Sequence, residues 1–182
     1  EMCDSDWSSD VCSSDLLHST ALTGAAGEHF VMYRLLSLGY VAGLAPQGAP
    51  NVDIVVTDPT AKRSVCIQVK TRLPKGSDKG WHMSQKHEDM MEENLFYCLV
   101  DLSADTTVYV VPSGVVAEAV RESHRAWLSL PGKNGQPHRD SNVRRLLPDY
   151  SSLVKSDHPM LRKYSAGWLD EYEEAWDVLG LD

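Results

Sequence analysis

Residues 52–71 read VDIVVTDPTAKRSVCIQVKT, two apolar, β-branched runs joined by the polar, turn-forming segment DPTAKR. Val, Ile, Thr and Cys suit the pleated, half-buried backbone of a strand, and the Asp-Pro pair breaks it into a turn. The stretch therefore reads as an antiparallel hairpin of Val52–Thr57 against Ser64–Thr71. If the turn is symmetric, paired residue numbers sum to 121 and Asp53 lies opposite Gln68. Alternate side chains share one face of a strand, so Gln68 and Lys70 point one way while Ile67 and Val69 point the other, toward apolar packing. A carboxylate, an amide oxygen and an ammonium thus converge from adjacent strands. Buried unpaired they would be costly; gathered around a metal they would not.

Upstream, Thr23 stands at a helix N-cap position before GAAGEHFVMYRLLSLG, whose apolar residues recur at helical spacing and whose final Gly39 suits a helix end. Short strand-like runs occupy Tyr40–Leu44, Leu95–Asp101 and Thr106–Val111. Ser113 then caps a helix through Leu128, and the Gly, Pro, Asn and Lys of residues 131–140 read as a loop. Near the end, Trp168, Leu169, Tyr172, Ala175, Trp176 and Leu179 line one face of an amphipathic helix predicted over Ala166–Leu179. The order is helix, three strands, loop and short helix, two strands, helix. This is an α/β fold with a sheet of about five strands flanked by helices, plus C-terminal helices.

The chain has 182 residues, 42% of them hydrophobic, and a net charge of −9. The longest apolar run is Leu95–Val100, far short of the roughly 20 residues a membrane helix needs, so no membrane partner is expected. No basic segment followed by an apolar one opens the chain, so no secretory leader is expected either. Residues 6–16, DWSSDVCSSDL, match one translated frame of a common sequencing-library adapter. Residues 1–16 accordingly read as an adapter-derived, disordered tail from an environmental assembly, the alternative being a natural acidic tail. Without them the net charge is −4, and only Cys66 and Cys98 remain. Two isolated thiols suit a reducing cytoplasm and do not make a zinc site; the His residues likewise lack ligand spacing. An α/β domain over residues 17–148 and a C-terminal helical extension over residues 149–182 complete the division. That extension is acidic, and its aromatic stripe reads first as packing onto the sheet and second as a homodimer contact.

Glu28 in GAAGEHF, Asp53 in PNVDIVV, and Gln68-Val69-Lys70 on the next strand resemble the PD-(D/E)xK nuclease superfamily, with Gln in place of the usual acid. The resemblance covers about half the chain, Thr23 to Val111. It implies a restriction-endonuclease-like αβββαβ core and metal-dependent hydrolysis of phosphodiester bonds in DNA by a small bacterial, cytoplasmic endonuclease. Asp53, the Gln68 side-chain oxygen and the Val69 backbone carbonyl would hold Mg²⁺ or Mn²⁺, with Glu28 reaching the cluster from the helix. Lys70 would orient the attacking water or stabilise charge on the phosphate. The neutral Gln68 removes one negative charge, so metal affinity should be lower than in the acidic form. A catalytically silent nucleic-acid-binding module is therefore the rival reading, and a protein-interaction adaptor using the acidic C-terminal helix is a third.

Nucleic acid needs a cationic surface. Residues 62–86 carry seven Lys and Arg against a single acid, Asp78. Arg72, Lys75, Lys79 and Lys86 are the expected backbone contacts, and Trp81, in a Gly-rich segment, the expected stacking platform for a base.

Overall fold

The hairpin forms with its paired residues summing to 121: Ile54 faces Ile67, Val55 faces Cys66, Val56 faces Val65 and Thr57 faces Ser64. The computed structural model describes residues 19–73, 80–132, 134–154 and 158–181. It contains α1 (Thr20–Ser37), β1 (Val41–Leu44), β2 (Ile54–Thr57), β3 (Ser64–Arg72), β4 (Trp81–Ser84), β5 (Leu95–Asp101), β6 (Thr107–Pro112), α2 (Ser113–Ser129), β7 (Val143–Leu146) and the single turn α3 (Leu161–Tyr164). The main sheet has the order β1-β2-β3-β5-β6. β1, β2 and β3 are mutually antiparallel, β3 and β5 run parallel, and β6 returns antiparallel to β5. This is the mixed five-strand sheet flanked by helices that the element order implies. Among the described residues no helix is long and apolar enough to cross a membrane.

β5 is the pivot of the packing. Its residues Leu95–Val100 are buried without alternation, as expected of a strand covered on both faces. On one face α1 lies over β3, joining Val31 and Leu35 to Ile54, Ile67, Val69, Cys98 and Val110. On the other, Tyr97, Leu99 and Val111 pack against Val116 and Val120 of α2 and against Trp81 and Leu146. These last two come from a second, two-stranded sheet, β4 paired antiparallel with β7, which the sequence pattern did not reveal. The side of β3 that carries Gln68 is therefore not open to solvent, as the hairpin alone suggested; a second layer covers it.

Local details shift the expected boundaries. Helix α1 begins at Thr20 after Ser19, and Thr23, expected as its cap, lies inside it with its hydroxyl donating to the Ser19 carbonyl at 3.1 Å. At the far end Gly39 takes φ +90°, and the amides of Gly39 and Tyr40 close the helix by donating to Leu36 and Leu35. Ser113 does not cap α2; its hydroxyl donates to the Glu92 carbonyl at 2.7 Å, tying the helix start to the loop before β5.

The predicted amphipathic helix over Ala166–Leu179 is replaced by two 3₁₀ turns, Asp170–Tyr172 and Trp176–Leu179, joined through extended Glu173 and through Glu174 at φ +49°. The cause is the free edge of the main sheet. Glu173 bridges to Tyr109 of β6, and the Glu174 amide donates to the Val108 carbonyl at 3.0 Å, so this backbone is spent on covering an edge strand. The apolar spacing served both cores instead of one helix face: Leu169 joins the core beneath α2, while Trp176 and Leu179 join the core beneath α1.

Candidate metal-dependent nuclease site

The site forms where β2 and β3 part. The β2–β3 ladder ends at Ile54. Asp53 still donates its amide to the Ile67 carbonyl at 2.9 Å, and its carbonyl accepts from Ala45 at 2.8 Å. Two residues earlier Asn51 turns the chain away with φ +64°. β3 runs on to Arg72, so the Val69 amide has no β2 backbone to meet. The Asp53 carboxylate takes that place, accepting from Val69 N–H at 2.7 Å through Oδ2. One carboxylate oxygen is thereby pinned at the mouth of the split.

Gln68 lies beside it on β3, opposite Tyr97 of β5. The residue is 5% exposed, and its Oε1 is buried without a hydrogen-bond partner. An unmet acceptor of this kind costs about 1–3 kcal/mol. Lys70 follows on the same face of β3. Burial pushes its ammonium pKa below the ordinary lysine value; nearby Asp53 opposes the shift, Lys86 adds to it, and Glu28 opposes it.

Glu28 reaches the same field from α1. The helix can come close because Gly27 has no side chain: a Cβ there would stand 1.9 Å from Thr71 Oγ1 of β3. Burial raises the Glu28 carboxyl above its ordinary pKa and the Asp53 charge raises it further, while His29 and Lys70 pull it down. Glu28, Asp53 and Lys70 thus sense one another's charges, and Gln68 lies between the two strand residues. Among the described residues no group of three or more His, Cys, Asp or Glu could by itself hold a metal ion. A cation here would depend on the Gln68 amide oxygen as well as on carboxylates. Those are hard oxygen donors with low total charge, a set that suits a divalent cation retaining much of its water.

The expected nucleic-acid contacts divide. Lys86 is exposed at the rim and donates to Asn51 Oδ1 at 2.6 Å, two residues from Asp53. Arg72 is committed internally, with Nε donating to Asp101 at 2.9 Å and the guanidinium 4.2 Å from the Trp81 ring centre. Trp81 is fully buried, and its Nε1 donates to the Val100 carbonyl at 2.9 Å. It cannot stack on a base; the Gly-rich segment before it concealed a core strand. Lys75 and Lys79 lie outside the described residues, as does the 1–16 tail.

One neighbour went unread in the sequence. His87 is buried, its ring edge-on to Tyr97 with centroids 6.0 Å apart. Its Nδ1 lies 2.9 Å from the Ser84 amide and 3.0 Å from the Ser84 carbonyl, and its buried Nε2 has no partner. Burial lowers its pKa to about 4, and Lys70 and Lys86 add to that lowering. A lone His without ligand spacing gives no sequence signal; only the crossover from β3 to β5 brings it here.

No known family description matches the chain, and no curated protein matches it. Among solved structures, a bacterial homing endonuclease, I-Ssp6803I, superposes with a TM-score of 0.52 over 88% of this chain and 91% of its own, at 14% identity. At that identity the likeness is one of fold, and the fold is nuclease-like.

Proposed function

We propose that the chain is a divalent-metal-dependent DNA endonuclease of the PD-(D/E)xK type, in a variant with Gln at the second metal-binding position. The observation that carries this reading is the buried, unpartnered Gln68 Oε1 beside an Asp53 carboxylate fixed by the Val69 amide. A protein gains nothing in stability from an acceptor left unmet there, whereas a bound cation would meet it. The nuclease-like fold supports the same reading, since its solved neighbour is an endonuclease.

Asp53, Gln68 Oε1 and the Val69 carbonyl would hold Mg²⁺ or Mn²⁺, with Glu28 in support. Bound there, the ion supplies the positive charge that polarises a scissile phosphate. Asp53 stays oriented through its bond to Val69. Lys70, half-desolvated between two carboxylates, orients the attacking water or meets charge developing on the phosphate. Glu28, its carboxyl pKa raised by burial and by the Asp53 charge, adds a second carboxylate at the rim of the site, contributed by α1.

The test is cleavage of supercoiled plasmid with Mg²⁺ or Mn²⁺. Lys70→Ala and Asp53→Ala should each lower the rate on the order of 10²–10³-fold, the loss typical of a preorganised charge-stabilising group. Unchanged rates in both variants would remove the assignment. The rival reading, a silent binding module, rests on the neutral amide of Gln68 and predicts salt-sensitive DNA binding with no metal-dependent product. The adaptor reading loses its premise, because the acidic C-terminal helix it needed is not formed.

A further inference from the structure

We infer that the outer face of the β4–β7 ribbon reads base edges in the major groove of duplex DNA, a specificity surface for the nuclease site proposed above and resting on that reading. The major groove admits a two-stranded antiparallel ribbon, and Arg, Gln and Asn are the side chains whose geometry matches guanine and adenine edges there. The ribbon has both properties. Its inner residues Trp81, Met83 and Leu146 are core, and buried Arg144 is ion-paired with Glu88, so the element is rigidly seated. Its outer face sets exposed His82 opposite exposed Arg145, and Ser84 opposite exposed Val143. The pairing continues one step, with the Gln85 backbone amide donating to the Asn142 carbonyl at 3.0 Å and to its Oδ1 at 3.3 Å, so that the exposed Asn142 side chain is held at the tip and the exposed Gln85 side chain projects beside it.

Charge singles this face out. The outer face and tip carry exposed Arg145 and Lys86 and no acid, in a chain of net charge −9. An ordinary solvated face mixes both signs. Position agrees as well. One residue beyond the tip is Lys86, whose ammonium bonds Asn51 next to Asp53, so a phosphate backbone at the cleavage site would pass the end of the ribbon. The deep, narrow major groove of an RNA duplex would not accept such an element, which favours DNA.

The test captures a duplex DNA library with a randomised centre on the full chain, with Ca²⁺ replacing Mg²⁺ so that strands stay whole, and sequences what is retained. Wild-type protein should enrich a base preference. Arg145→Ala should relax it at one base pair on the order of 10- to 100-fold, and Gln85→Ala at a neighbouring one. Lys86→Ala should instead weaken all sequences alike and reduce the salt slope by about one. Arg145 and Gln85 have exposed side chains, and unchanged thermal melting shows that the variants fold. A wild-type preference untouched by both substitutions, or binding with no preference at all, overturns the ribbon. Failure to bind the library overturns both the ribbon and the nuclease reading. A ribbon-dependent preference without cleavage when Mg²⁺ is restored upholds the ribbon and overturns the nuclease reading alone.

Discussion

Two of the places where the main sheet runs out of partners are treated in opposite ways. Along β6 the C-terminal segment covers the edge at Val108 and Tyr109. Glu173 bridges Tyr109, the Glu174 amide meets Val108, and the Glu174 carboxylate accepts from both Arg34 of α1 and the Trp176 indole. Where β2 leaves β3, Asp53 meets the Val69 amide, but Gln68 Oε1 and His87 Nε2 stay buried without partners. The first arrangement spends charged groups on stability. The second keeps them in reserve, with Glu28 and Lys70 both displaced from their ordinary titration behaviour. Unmet polar atoms gathered at one end of a ladder mark a place shaped for something other than folding.

Four measurements test that contrast. The largest effect belongs to the closed edge. Trp176 is 5% exposed within the core beneath α1, so Trp176→Ala should cost about 3–5 kcal/mol in urea unfolding. A loss below 1 kcal/mol would mean the C-terminal segment is decorative. At the open end the sign should reverse. Gln68→Met keeps the volume and removes the unmet acceptor, so the metal-free protein should gain about 1–2 kcal/mol while plasmid cleavage is lost. A destabilised variant would show instead that Gln68 is a structural group.

The third effect is a pH slope. His87 is neutral in the fold down to about pH 4, whereas in the unfolded chain it titrates near 6.5. Between those values the unfolded state binds the extra proton, so stability falls as pH drops from 6.5 toward 4, approaching ~1.4 kcal/mol per pH unit. His87→Gln should flatten that part of the curve; an unaltered slope would place its origin elsewhere. The smallest effect is the ion pair of Arg34 with Glu174, each about one-third exposed. Arg34→Met should cost no more than about 1 kcal/mol and should lose its effect in high salt.

Much of this was legible in the linear chain wherever local chemistry decides. The hairpin register followed from the length and symmetry of DPTAKR, and β5 forms over Leu95–Asp101 where its apolar run reads as a strand. Trp81 shows the opposite case. Its Gly-rich, basic flank resembles a mobile binding loop, yet its partners are Leu146, 65 residues onward, and the Val100 carbonyl. The Ala166–Leu179 segment fails for a related reason: helical spacing describes which residues are apolar, not whether a single surface or two will receive them.

By itself, then, the sequence determined the elements whose hydrogen bonds close locally: α1, the β2–β3 hairpin, α2, and the alternation that puts Gln68 and Lys70 on one side of β3. Only tertiary structure decided that this side is buried, that Gly27 lets α1, packed on the other face, bring Glu28 within range of Asp53 and Lys70, that His87 joins the covered side, and that β4 and β7 pair at all. The physical reason is that burial and long-range pairing depend on what a distant segment places opposite a residue. No periodicity within the residue's own neighbourhood encodes that.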